Sequence, residues 1–286
     1  MKPELIAITA IFAGFALLEF FRTGFFVKPR QRRKDIIVEI VGTSTLMLLT
    51  QPVVLLAGGL LAAAIAPDAA GILAGIPWYA KLGLVLVFDD MTQYWWHRAS
   101  HQFAWLNRLH RAHHSAAYMS VRLVYRNNLF FYLFMPAIWV SGALIYLGLG
   151  PAYAVYVVVK QTVVIAAHSN VRWDDWLYRR PGLSGLAWLL ERTVSTPSTH
   201  SAHHGKHKSD GVTHYKGNYG NLLFFWDVLF GTAQITRRYP AAYGLEDVAS
   251  ESWQSELAWP LVRGVEPLRT VAVPRWRGAP RHKTLA

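Results

Sequence analysis

The sequence predicts an all-α protein: a transmembrane helical bundle of about 4–5 spans, with a helical, histidine-bearing cap on its cytoplasmic side. Three observations lead there. Of 286 residues, 53% are hydrophobic and only 16% are charged, where a soluble domain carries about 25%. The apolar residues are gathered into runs long enough to cross lipid. Eight of the twelve histidines fall in two short patches, His97 to His114 and His200 to His204.

The remaining composition narrows the chemistry. There is no cysteine, which excludes disulfides and thiolate metal sites, so a bound metal must take nitrogen or oxygen ligands. Net charge is +12 and mean hydropathy is positive at +0.20. The basic residues flank apolar runs instead of lining one polar face. That placement suits anionic lipid headgroups and argues against a nucleic-acid partner.

In chain order, Leu5 to Phe21 is apolar apart from Glu19 and reads as a span, because its end lacks the small residues of a signal-peptide cleavage site. Between Arg22 and Asp35 stand six basic residues and one acid, the strongest cytoplasmic marker in the chain. Ile36 to Ala66 holds one charge, Glu39, and is too long for one upright span. It reads as a single helix, tilted or kinked at Gln51-Pro52. Gly71 to Phe88 is a third apolar run that leads to Asp89 and Asp90. Leu129 to Leu149 and Ala152 to Ala167 form a helical hairpin about Gly150-Pro151, its return leg ending at His168. Trp173 to Leu190 mixes tryptophan with Asp and Arg, as segments at headgroup level do.

The expected organisation is therefore N-terminal transmembrane helices over 1–90, two histidine motifs over 91–128 and a transmembrane hairpin over 129–168. Interfacial helices with a third motif follow over 169–236, and a polar cytoplasmic tail over 237–286. Counting crossings from the basic loop places every histidine motif on the cytoplasmic side. The charge rule does not itself require that agreement.

On a helix, residues three and four apart share a face. His97 and His101 form such a pair, and His110, His113 and His114 form a triplet that His200, His203 and His204 repeat. Each motif is expected to point its imidazoles one way. His101 and His110 are nine apart and would face opposite sides of one helix, so a bend is expected between them. A lone histidine is more often a surface or core residue. Three clustered motifs on one membrane face point to metal, and their number exceeds the four ligands of a structural zinc and suits two ions. Imidazole is compatible with iron, zinc, copper or nickel.

Asp90, about two helical turns before His97, is placed to accept the free N–H of a ligating imidazole; the alternative is a solvated helix-end acid. Asn218, in the turn Asn218-Tyr219-Gly220, is a polar candidate to support the last motif. His207 and His214 lie in a Lys- and Gly-containing loop, where either could add a ligand but a surface role is expected, and His282 in the basic tail is expected to play no part.

The order HRxxH from His97, HxxHH from His110, a later single histidine and HxxHH from His200 resembles the membrane fatty acid hydroxylase and sterol desaturase superfamily. Asp90, Tyr94, Trp95, Thr196-Pro197, Asn218-Tyr219-Gly220, Trp226-Asp227 and Phe230-Gly231-Thr232 strengthen the likeness, which covers roughly Asp90 to Thr232. The resemblance implies two non-haem iron ions, replaceable by zinc in a crystal, with O2 as co-substrate. Carried over, the ligands are His97, His101, His110, His113, His114, His168, His200, His203 and His204. It implies an oxidoreductase that hydroxylates or desaturates an alkyl chain or sterol-like lipid. No glycine-rich nucleotide motif occurs, so electrons are expected from a ferredoxin or small cytochrome with its reductase. The competing reading is a membrane protein that uses metal structurally or handles it without catalysis. A transporter would place ionisable residues along its spans, whereas these histidines collect at one end.

Overall fold

The computed structural model describes residues 3–26, 28 and 31–264. Part of the basic loop, the end of the tail and His282 lie outside the described residues. Among the described residues there are helices and two isolated β-bridges, with no strand.

Three helices are long and apolar enough to cross a membrane: Pro3–Thr23 (α1), Arg33–Ile65 (α2) and Leu129–His168. The long apolar run after the basic loop is thus one helix. It widens into a π turn at Leu46–Thr50, just ahead of Pro52. Proline has no N–H to give the preceding turn, and π turns commonly absorb such a defect. Leu129–His168 is turned back by Gly148, whose φ of 102° is open to glycine and strained for other residues. Its legs are α5 (Pro136–Leu144) and α6 (Gly150–His168).

The run expected to make a separate span over Gly71–Phe88 behaves differently. Gly71 to Pro77 is turn and loop, and helix begins only at Trp78. From there one helix, α3, runs over residues 78–102, passing through a π turn at Leu86–Met91. It carries Asp89, Asp90 and the first histidine motif, so it is too polar to rank with the three apolar helices. α3 lies between the hairpin legs. The Asp89 carboxylate accepts from Ser141 on α5 and from Tyr156 and Lys160 on α6.

Close helix contact in an apolar surround needs small residues. α2 and α5 meet at Gly58 and Gly142, where a Cβ would fall 2.2 Å from Trp139 O and Leu55 O respectively. The lower end of α1 is pinned by the buried Glu19. It accepts from Lys28 Nζ (3.0 Å), Ser120 Oγ (2.6 Å), and the N–H groups of Val121 and Asn170.

The remaining elements cover the end of the bundle: α4 (Ala104–His114), α7 (Trp173–Tyr178), α8 (Ser184–Thr193), α9 (Pro197–His203), α10 (Phe225–Leu229) and α11 (Trp253–Ala258). In the segment expected at headgroup level, Trp176, Leu186, Trp188 and Leu189 are exposed, and Arg180 and Arg192 stack on the two tryptophans. Arg126 ties the cap to the bundle. Fully buried, it donates to Asp35 on α2 (2.9 Å), Glu256 on α11 (3.0 Å), Ser115 Oγ (2.8 Å) and Ala112 O on α4 (2.7 Å).

Candidate metal centre

The bend expected between the first two motifs is present. Phe103 leaves helical geometry (φ −99°, ψ 125°), separating α3 from α4. α3 therefore delivers His97 and His101, α4 delivers His110, His113 and His114, α6 ends on His168, and α9 with its C-cap supplies His200, His203 and His204. All nine converge. Thr196 starts α9 with a capping box, its hydroxyl paired with Thr199, and Pro197 occupies the first turn.

The nine imidazoles fall into two groups. One nitrogen from each of His97, His101, His110, His114 and His203 lies within 4.8 Å of the others, and the same holds for His113, His168, His200 and His204. The expectation that each motif points one way needs correction. His110 and His114 join the first group while His113 joins the second; His200 and His204 join the second while His203 joins the first. Residues at i+3 and i+4 lie on opposite sides of the line through residue i. An HxxHH motif wedged between two sites therefore serves both.

The hydrogen bonds decide where the protons sit. His97 Nδ1 is 2.7 Å from Tyr219 O and His203 Nδ1 is 2.8 Å from Gly217 O. A carbonyl only accepts, so both rings carry their proton on Nδ1 and offer a bare lone pair at Nε2. Those two Nε2 atoms face each other at 3.0 Å. In the second group His113 and His168 donate from Nδ1 to Arg126 O (3.2 Å) and Val164 O (2.8 Å), and their Nε2 atoms approach to 3.3 Å. Opposed lone pairs repel unless a cation lies between them. Two nitrogens at about 2.0–2.1 Å from one metal ion, near right angles, stand about 3 Å apart. Each group contains such a pair, so the donor set fits one cation in each. His101 Nε2 is buried with no partner in the first group.

The proton balance agrees. Burial lowers the pKa of His97 to about 4. It pushes His101, His110, His113, His114, His200, His203 and His204 well below the ordinary value, and repulsion among neighbouring imidazoles adds to the effect. All eight are neutral at pH 7, as metal ligation requires.

The groups orienting the rings are mostly backbone carbonyls. Asn127 is the exception. Its Oδ1 accepts from His110 Nδ1 (3.0 Å) while its Nδ2 donates to Tyr132 OH, which fixes the amide. Sequence reasoning missed Asn127, whose signal was the polar run Arg126-Asn127-Asn128 directly ahead of an apolar helix. Asn218 bonds to backbone groups, not to an imidazole. In the left-handed region (φ 55°), it donates to Thr199 O and Gln234 O and accepts from Gln234 N. Asp227 completes the turn by accepting from the N–H groups of Tyr219 and Gly220. Between them they hold the Gly217 and Tyr219 carbonyls against His203 and His97. Asp90 is buried, but it accepts from Trp226 Nε1 (2.8 Å) and Leu223 N (3.2 Å), not from an imidazole. His207 meets Glu246, and His214 meets Thr232 O; neither belongs to the two groups.

Beneath the imidazoles a cavity runs into the bundle. Its lining includes His97, His110, His113 and His168 at one end, Phe131, Met135, Ile138 and Val157 along its length, and Gln93, Asp89 and Lys160 deeper in.

A family model described as fatty acid hydroxylase matches residues 82–232. The match covers more than half of the chain and every residue of the two groups. The chain belongs to this family and, with its three apolar helices, is an integral membrane protein. It is 28% identical to the alkylglycerol monooxygenase of Danio rerio over 54% of this chain and 30% of that protein. With the alkylglycerol monooxygenase of Homo sapiens it shares 27% identity over 59% of this chain and 33% of the relative. The Xenopus tropicalis alkylglycerol monooxygenase is 25% identical over 59% and 34%. The chain thus spans about a third of the length of the curated relatives it matches. No solved structure matches it.

Proposed function

We propose that the chain is an O2-dependent oxidoreductase that hydroxylates the alkyl portion of a membrane lipid at two iron ions, one in each imidazole group. The single observation that carries this reading is the pair of opposed, lone-pair-bearing imidazoles in each of two adjoining groups, in a chain of the fatty acid hydroxylase family. Iron bound there supplies the chemistry that splits O2 and oxidises an unactivated C–H bond, with two electrons and two protons reducing the second oxygen to water.

The protein's own part is to bind, orient and exclude water. Nδ1 donation to Tyr219, Gly217, Arg126, Val164 and Asn127 fixes five of the nine rings, those of His97, His203, His113, His168 and His110, and leaves their Nε2 atoms free to hold an ion. The apolar walls hold the alkyl chain beside the imidazoles and keep solvent out. Hydroxylation is favoured over desaturation because the curated relatives are named monooxygenases, and their name makes an alkylglycerol the first substrate to try. Electrons come from a ferredoxin or small cytochrome with its reductase. Lys208, Lys216 and Arg238, exposed on the loops after α9, suit an acidic donor. The metal end faces the cytoplasm, in keeping with the basic loop after α1.

The test supplies iron-loaded protein with 1-O-hexadecylglycerol, a chemical reductant and isotopically labelled O2, with His110→Ala as control. Label is expected in the lipid product for the wild type alone. One tightly held zinc and no O2 consumption would instead support the structural-metal reading.

A further inference from the structure

The cavity beneath the imidazoles is apolar along Phe131, Met135, Ile138 and Val157 but also carries the polar side chains of Asp89, Gln93 and Lys160. Asp89, Gln93 and His97 follow one another at four-residue intervals along α3, and Lys160, Val164 and His168 do the same along α6, at about 6 Å per step. The two helices run the same way, with Asp89 bonded to Lys160 at one level and His97 and His168 both in the metal centre at another. The deep level therefore lies about 12 Å below the imidazoles on both helices, with Gln93 midway. Two buried polar atoms along this cavity have no partner among the described residues: Gln93 Oε1, an acceptor, and Trp96 Nε1, a donor. The Lys160 ammonium has three N–H groups, and Asp89 is its hydrogen-bond partner. That leaves donor capacity in the same cavity, about one four-residue step below Gln93. Because Lys160 and Asp89 cancel, the pair offers hydrogen bonds without net charge.

A buried acceptor, a buried donor and a neutralised ammonium together match a hydroxyl, which donates and accepts at once. They do not match a phosphate or carboxylate. We propose that Gln93, Trp96 and Lys160 are specificity-determining residues that bind the free hydroxyls of an uncharged lipid and so set which carbon lies beside the metal centre. This rests on the lipid-oxygenase reading above.

The test is equilibrium binding of radiolabelled lipids to the full chain in nanodiscs, which needs no turnover. Two pairs of probes differ only in hydroxyls: 1-O-hexadecylglycerol against its dimethyl ether, and hexadecanol against hexadecane. Wild type is expected to favour the hydroxylated member of a pair by about tenfold, the scale of one buried hydrogen bond. Gln93→Leu should shrink that preference to within about twofold by weakening the hydroxylated probe alone. Its thermal midpoint should be unchanged or raised, because an unpaired buried acceptor has been replaced by an apolar group. Lys160→Met should act in the same direction but lower the midpoint, since Asp89 loses its counter-charge. A Gln93-dependent preference for hexadecanol, with no binding of hexadecylglycerol, would sink the alkylglycerol reading and leave this inference standing. Equal binding within both pairs by wild type overturns it, as does a preference that survives Gln93→Leu or a parallel loss of both members.

Discussion

Replacing Arg126 with methionine should loosen the cap and the second imidazole group together. The guanidinium is fully buried and makes four hydrogen bonds, two of them to carboxylates. Removing one member of a buried charge network costs about 3–5 kcal/mol, mainly because the partners are stranded. Glu256 keeps Lys34 at 2.9 Å, so the stranded group is Asp35, left among the described residues with only the N–H of Arg32. That places the loss near the lower end, about 3 kcal/mol. At about 2–4 °C per kcal/mol for a chain of this size, the thermal midpoint in detergent should fall by about 6–12 °C. The Arg126 carbonyl also orients His113, so metal content should fall in the same variant. Adding Asp35→Asn removes the stranded charge and should recover about half of the loss. A midpoint within about 2 °C of wild type with full metal content would refute the reasoning, and so would a double variant less stable than the single one.

Three other outcomes follow from the same structure. Acid should release the metal. Burial depresses the His97 pKa to about 4 from 6.5, so its contribution to stability is complete above pH 6.5 and is lost as pH falls toward 4, because the unfolded chain takes up the proton first; metal analysis across that range checks it. Gly142→Val should prevent α2 and α5 from meeting, because even a Cβ would stand 2.2 Å from Leu55 O. A loss of several kcal/mol is expected, seen as failure to purify a monodisperse protein, whereas Gly14→Val, with nothing within 4 Å, should be silent. Asn218→Ala removes three hydrogen bonds and places alanine at positive φ. About 2–3 kcal/mol and part of the bound metal should go with it, as read by thermal unfolding and metal analysis.

Much of the candidate site was legible in the sequence because histidines that could hold metal carry a spacing. The two histidine patches and the bend near Phe103 could be read from positions alone, whereas the isolated His168 was singled out by the resemblance. The partition of each HxxHH motif between two groups could not, since it depends on which helices stand on either side of α4 and α9. The acceptors that set the tautomers stayed hidden for a different reason: four of the five are backbone carbonyls, which every residue has. Asp90, for which an imidazole partner and a solvated helix end were both open, shows the converse. Its spacing from His97 suggested a partner for an imidazole, but a continuous helix carries it about 10 Å along the axis, to Trp226. The apolar run from Gly71 misled because composition does not show that helix begins only at Trp78 and runs on through two aspartates.

The central claim is that the nine imidazoles hold two ions, one in each group. Metal analysis of anaerobically purified, iron-grown protein, combined with iron X-ray absorption, addresses it directly. Close to two irons per chain are expected, each surrounded by nitrogen at about 2.0–2.1 Å, falling to one iron in His97→Ala/His203→Ala with the second group still filled. A single ion per chain in the wild type, or two ions that survive that double substitution, would contradict it.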